Sequence, residues 1–308
     1  MKKYIFTIVI ILLVVLSAIG YKLIIQTPAE QNGVKKINGL VMLIEFEKID
    51  GILHWEEELH KRGLAALVSV QENVLKEYPD VFKRLAEKEY EIAGSCAEAP
   101  FWDMSYDKQY QFMKETKDSV ESVIGKPMRV FGSRYFAYDE NTLKAADALG
   151  VEYVLARGTA GERAVIYKPE EYKVKIISIS NIPFEDMGSG SLCDYSLWAR
   201  GATAEDFDKV LEGCIAKNPD NMIVVSHAYL GGTRLAWWNA YEKILNSDKV
   251  SWKTFNAWLD NLIPLTMVNK DIPVNREVKY DVPKPKVPIE ELESIPSLGD
   301  EIFCPACY

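Results

Sequence analysis

Histidine is scarce in this 308-residue chain, which has three: His54, His60 and His227. His54 and His60 are six positions apart, about 600° of helical turn, so they face different ways. A zinc site built on three imidazoles is therefore not expected. Basic runs and basic stripes interleaved with aromatics are absent too, and the formal net charge is −9; no nucleic-acid partner is expected. Cysteine is also limited, at five residues. Cys304 and Cys307 form Cys-Pro-Ala-Cys with only Tyr308 beyond them. A redox motif of that spacing opens a helix, and no residues remain to build one. The expectation is a local disulfide or a clip to another cysteine, with Cys96, Cys193 and Cys214 as partners or as buried thiols. The sequence shows no internal repeat.

What is present describes a folded protein. Apolar residues make up 48% and charged residues 26%, and the length suits one large domain with appendages. Lys2 and Lys3 precede an uncharged run from Tyr4 to Tyr21 that Lys22 ends. As a helix this run rises about 27 Å, close to the ~30 Å hydrocarbon core of a bilayer. It predicts a transmembrane signal-anchor over 1–25, or a cleaved signal peptide with small residues at Ala18-Ile19-Gly20. The main domain is then expected outside the cytoplasm, single-pass at the cell membrane or secreted. No Cys ends the run, which excludes a lipid-modified Cys there.

Residues 26–39 read as a polar linker. From Leu40 the chain alternates short apolar runs with helical patterns, the signature of βαβ units. Leu40–Ile44, Leu64–Val70, Tyr90–Ala93, Met128–Phe131, Val151–Ala156, Lys175–Ser180 and Met222–Ser226 read as strands. Helical patterns cover His54–Lys61, Asp80–Lys88, Ser105–Ile124, Asn141–Leu149, Ala204–Lys217, Trp237–Leu245 and Trp252–Leu262, with Gly63 and Gly150 as stops. The predicted fold is α/β, a distorted (β/α) barrel of about seven parallel strands over 40–267 with active groups where strands end. Beyond it, 268–308 reads as an extended Pro-rich tail that packs along the domain or links it to something else.

Three stretches together resemble the polysaccharide deacetylase family, also called the NodB-homology or carbohydrate esterase fold. Tyr78–Ile92 is similar to the family's segment ending in Gly-His-Glu-Ile. Phe131–Gly150 resembles the stretch around its Arg-Pro-Pro-Tyr-Gly motif, with Tyr135, Ala137, Tyr138 and Asn141-Thr142-Leu143 in register. Ile223–His227 resembles the strand ending in Leu-x-His. The resemblance implies a distorted barrel in which one Asp and two His hold a divalent metal, usually zinc. The metal polarises an acetamide carbonyl and acidifies a bound water, an Asp acts as base, and a His near the last strand acts as acid.

The likeness fails where that chemistry sits. The family's Thr-Phe-Asp-Asp falls on Glu45-Phe46-Glu47-Lys48, so Glu47 keeps a carboxylate at the base position and Lys48 replaces the metal-ligand Asp. The His-x-x-x-His pair falls on Ser95 and Ala99. The motif Arg becomes Gly132, with Arg134 two residues on. The resemblance therefore implies no metal at the family's position, and Glu47, Lys48, Arg134 and His227 as the candidate catalytic set. A mixed-ligand zinc site from Glu47, Glu98, Cys96 and His227 is the alternative. Trp102, beyond Pro100, is the candidate sugar-stacking surface and Tyr135 the second, with Glu98, Asp194 and Trp198 as further substrate contacts. The plain alternatives are a solvated Glu47–Lys48 pair, a surface Arg134, a structural His227 and a buried or disulfide-bonded Cys96 rather than a nucleophile.

The expected function is binding or acting on N-acetylated surface glycan, with metal-dependent deacetylation in doubt. The alternatives are an active hydrolase of non-peptide C–N bonds with an unusual or metal-free site, and a non-catalytic membrane-tethered interaction protein. Fold likeness does not choose among them.

Overall fold

The computed structural model describes residues 35–45, 48–96, 99–183, 189–276 and 285–296. The first half runs β1 (Ile37–Glu45), α1 (Asp50–Lys61), β2 (Leu67–Gln71), α2 (Glu72–Glu77), α3 (Pro79–Glu87), β3 (Glu91–Cys96), α4 (Tyr106–Ile124). There follow β4 (Val130–Ser133), α5 (Glu140–Leu149), β5 (Tyr153–Ala156), β6 (Val165–Pro169), β7 (Lys175–Ser178), β8 (Asn181–Pro183) and β9 (Ser189–Ser191). The last part holds α6 (Asp194–Trp198), α7 (Ala204–Ala216), β10 (Asn221–His227), α8 (Ala228–Gly231), α9 (Leu235–Leu245), β11 (Val250–Lys253), α10 (Phe255–Leu259) and β12 (Leu265–Met267).

β1 is the organising strand. All nine of its residues are buried, as expected of a strand covered on both faces. Leu40, Met42 and Ile44 point into one core and Val41 and Leu43 into another, the two-residue period of a pleated strand. One edge of β1 pairs with β10 in parallel, from Asn38↔Asn221 to Ile44↔His227. The other edge takes β11 along Ile37–Leu40 and β2 along Met42–Glu45. Inside the curl of the sheet, Trp258 Nε1 donates to the Asn38 carbonyl at 3.2 Å and Asn38 Nδ2 donates to the Trp258 carbonyl at 3.1 Å. That pair seats α10 beneath the strands.

The expected barrel of about seven parallel strands does not form. The sheet has ten strands in the order β10-β1-β2-β3-β4-β5-β7-β6-β12, with β11 beside β1, and β6 runs antiparallel to β7. The fold is α/β, and the sheet is a curled half-barrel of mixed strands. The reason lies after β5. A short connection from β6 to β7 reverses the chain, and β8 and β9 form a separate two-stranded ribbon. The free edge of β10 therefore meets irregular chain instead of a closing strand. Val225 N donates to the Leu192 carbonyl at 2.9 Å and Ile223 N donates to Ser180 Oγ at 3.0 Å.

Two further expectations need correction or placement. Among the described residues no helix is long and apolar enough to cross a membrane. The Tyr4–Tyr21 run, read as a transmembrane helix, lies outside the described residues, as do Cys304 and Cys307. The described part of the tail packs on the domain. Ile295 N donates to the Thr233 carbonyl at 3.0 Å, Leu235 N to the Glu293 carbonyl at 2.9 Å, and Trp198 Nε1 to the Val287 carbonyl at 3.0 Å.

α1 and α3 are tied by one buried carboxylate. Glu56 accepts from Arg84 at 3.0 and 2.6 Å and from Lys88 at 3.0 Å. Burial pushes the Glu56 carboxyl up, but the bonds and charges of Arg84 and Lys88 outweigh it and hold the group below its ordinary value of 4.5. A folded pKa below the unfolded one gives stability that is full above the unfolded value and is lost as pH falls through the folded one. Glu56→Gln should thus cost about 1–2 kcal/mol at pH 7. Urea midpoints of parent and variant should converge in acid; a gap unchanged by acid would contradict this reading.

Candidate functional site

Because β1 to β5 and β10 run parallel, their C-terminal ends gather at one edge of the sheet, where α/β proteins place ligands. Glu45, Gln71, Cys96, Ser133, Ala156 and His227 are the last residues of these strands. A cavity of about 320 Å³ lined by Arg129, Tyr153, Lys175 and Asn256 lies near the other ends of the strands.

The most ordered chemistry at this edge surrounds His227. Asp194 is fully buried at the start of α6. Its Oδ1 accepts from Tyr195 N at 2.6 Å and His227 N at 2.9 Å, and its Oδ2 accepts from Ser226 Oγ at 2.8 Å. These bonds replace the water that a buried carboxylate would otherwise lose. The Cys193 Sγ sits 3.2 Å from His227 Nδ1 and 3.4 Å from Asp194 Oδ1, while Nδ1 and Oδ1 are 3.8 Å apart. The sheet sets this meeting, because Cys193 bridges Val225 in parallel. Tyr195 lies over the imidazole at 4.6 Å with a 33° tilt, and Tyr229 meets it edge-on at 5.8 Å.

No side chain fits at 231. A Cβ on Gly231 would stand 2.3 Å from Ser226 Oγ and 2.4 Å from Asp194 Oδ2. Burial, then the charge of Asp194, pushes the Cys193 thiol well up, so in the absence of a bound cation it stays protonated and is no activated nucleophile. The Tyr229 phenol is raised by burial first, then by its neighbours Tyr195, Asp194, Cys193 and Glu45.

The other predicted residues are distributed along the same edge. Lys48 is exposed just after β1, and its backbone N–H donates to Glu45 Oε1 at 3.2 Å. Arg134 is exposed and stacks on the Tyr135 ring at 5.0 Å. Tyr135 and Phe136 hold left-handed backbone, φ 60° and 52°, a strained turn for residues with side chains. Trp102 is half-buried on a loop that Gln109 pins, donating to the Phe101 carbonyl at 2.8 Å, the Met104 carbonyl at 3.0 Å and Asp139 Oδ1 at 2.9 Å. Trp198 is half-buried, its indole tied to the tail and tilted against Tyr195 at 5.4 Å. Glu47 and Glu98 lie outside the described residues. Cys96, Cys193 and Cys214 are buried.

The zinc implied by the resemblance does not fit the residues at the positions that the resemblance gives its ligands. Lys48 brings an ammonium, which repels a cation, Ala99 brings a methyl, and Ser95 is a neutral hydroxyl buried at the end of β3. None is a good zinc ligand. Among the described residues, one group of three His, Cys, Asp or Glu side chains has donor atoms close enough for a single ion: Cys193, Asp194 and His227. The sequence reading names Asp194 and His227 as site residues, gives Cys193 only as a disulfide partner or buried thiol, and assigns no site role to Glu45 or Tyr195. Cys193 immediately precedes Asp194, and Glu45 ends the first strand with a carboxylate. Those positions were the available signals.

Residues 57–154 match the family model described as polysaccharide deacetylase. Among solved structures, a Mycobacterium smegmatis protein assigned to the polysaccharide deacetylases superposes with a TM-score of 0.57 at 12% identity, covering 82% of this chain and 99% of that one. A Pseudomonas aeruginosa protein with the same assignment gives 0.55 at 12%, covering 76% and 95%. A CE4 family pseudoenzyme of Bacillus anthracis, as a mutant with restored enzymatic activity, gives 0.50 at 12%, covering 74% and 69%. At such identities the likeness carries the fold. No curated protein matches the chain. Over residues 57–154 the chain is thus similar to the polysaccharide deacetylases, and its domain shares the fold of the solved structures given that name.

Proposed function

We propose that this protein binds N-acetylated glycan at the C-terminal edge of its sheet and does not perform the zinc-dependent deacetylation of its family. The carrying observation is the occupancy of the family's three ligand positions by Lys48, Ser95 and Ala99, beside an ordered Asp194–His227 end. Loss of activity is compatible with this fold, since the similar Bacillus anthracis protein is described as a pseudoenzyme. Trp102 and Tyr135 are the stacking surfaces, one on a loop clamped by Gln109, the other set by a strained turn. Arg134, Lys48, Glu47 and Glu98 supply polar contacts, and Trp198 lies beyond His227 on α6.

Calorimetric titration with N-acetylated chito-oligosaccharide, and with acetyl-xylan as a second ligand, tests this reading. Trp102→Ala should weaken binding by about tenfold, the order of one aromatic contact at ~1–1.5 kcal/mol. Binding unchanged by Trp102→Ala would remove the stacking surface, and no binding of either glycan would remove the proposal.

A second reading is favoured by the Asp194–Cys193–His227 arrangement: a hydrolase that uses His227 without the family's metal. Acetate release that survives chelation and is lost in His227→Ala would select it over simple binding.

A further inference from the structure

We propose that Cys193, Asp194 and His227 form a zinc site, distinct in position from the one the family fold implies. Zinc takes thiolate sulfur at about 2.3 Å and imidazole nitrogen or carboxylate oxygen at about 2.0–2.1 Å; at tetrahedral angles these donors stand about 3.3–3.6 Å apart. The three separations here are 3.2 Å from Sγ to Nδ1, 3.4 Å from Sγ to Oδ1, and 3.8 Å from Nδ1 to Oδ1. Each lies within about half an ångström of one face of a zinc tetrahedron. The ligand types suit the ion, a borderline-soft cation that accepts sulfur, nitrogen and oxygen together.

Charge balance supports the same ion. The pocket brings a fully buried carboxylate next to a buried thiol and an imidazole. Binding Zn²⁺ releases the thiol proton to solvent and forms a sulfur–zinc bond. The dication, thiolate and carboxylate then sum to zero in a largely buried pocket. The supporting contacts are those that orient a ligand carboxylate: Tyr195 N and His227 N on Oδ1, and Ser226 Oγ on Oδ2. Zinc on Nδ1 would hold the neutral imidazole with its proton on Nε2. It would also join Asp194 of α6 to His227 of β10 through coordinate bonds, in addition to the contacts already described. Three protein ligands leave the fourth position to water.

The test uses the full chain carrying Cys304→Ser and Cys307→Ser, so that the C-terminal thiols cannot bind metal. After stripping with chelator, the protein is titrated with Co²⁺, followed by Zn²⁺ competition and metal analysis. The expected result is one ion per chain and a near-ultraviolet thiolate-to-cobalt charge-transfer band that zinc displaces. Cys193→Ser removes the band, whereas Cys96→Ser and Cys214→Ser keep it. Should Cys193→Ser fail to fold by circular dichroism, His227→Gln serves instead, weakening cobalt binding by about tenfold or more. No band at saturating Co²⁺, or a band indifferent to both Cys193→Ser and His227→Gln, overturns the site. Glycan titration is a separate measurement, so the failure of one proposal is distinguishable from the failure of the other.

Discussion

Asp194→Ala is expected to lower the unfolding free energy by about 4 kcal/mol, measured by urea denaturation with chelator present. The side chain satisfies two backbone N–H groups and the Ser226 hydroxyl, and it is fully buried. Its removal leaves three donors without a partner, each costing about 1–3 kcal/mol before relaxation. Asp194→Asn keeps one acceptor oxygen and should cost about half as much. The order parent, Asn, Ala follows from counting acceptors. The midpoint should shift while the slope of the transition holds, since little new surface is exposed in the native state. A loss below about 1 kcal/mol for Ala would mean that the carboxylate is not the anchor of α6.

Gly51→Ala should be comparably damaging, by about 3 kcal/mol, the upper range for overpacking. Gly51 opens α1 where that helix passes α8. A Cβ there would lie 1.9 Å from the Ala228 carbonyl oxygen and 2.3 Å from its carbon. Both atoms are backbone, so no rotamer change relieves the clash and the two segments must separate. α8 follows His227 directly, so glycan affinity should fall together with stability. Gly213 in α7 is the internal control. A Cβ at that position meets nothing within 4 Å, and Gly213→Ala should stabilise by about 0.5–1 kcal/mol through helix propensity alone. Thermal or urea unfolding of the two variants should move in opposite directions. Equal shifts would contradict the packing described for α1 and α8.

The parts of the fold legible in the sequence were those where one local signal sufficed. Leu40–Ile44 and Met222–Ser226 are apolar runs that only a doubly covered strand explains, and they became β1 and β10. Gly63 and Gly150 stop their helices in left-handed conformation, φ 64° and 72°. Strands near the antiparallel reversal were not legible. Val165–Pro169 and Leu265–Met267 are short and take their partners from far away in sequence. Val250–Lys253 adds a strand to β1 ahead of α10, where an amphipathic pattern suggested that the helix already begins at Trp252.

The site divided in the same way. Asp194 and His227 could be picked from motif likeness, and the registers bring them together. Cys193 could not, because its importance arises only when its bridge to Val225 sets its sulfur against the imidazole. Trp102 was legible as an aromatic in a loop, but not the Gln109 and Asp139 contacts that fix that loop. Tyr135 was named for its chemistry, whereas its left-handed backbone is a property of the turn and not of any one residue.

The central proposal is that Lys48, Ser95 and Ala99, at the positions where the resemblance puts the zinc ligands, leave the fold without zinc-dependent deacetylation. Acetate release from N-acetylated chito-oligosaccharide, followed with added zinc and again after chelation, tests it most directly. The account predicts no zinc-dependent release under either condition. Turnover that zinc restores and chelation abolishes would contradict it.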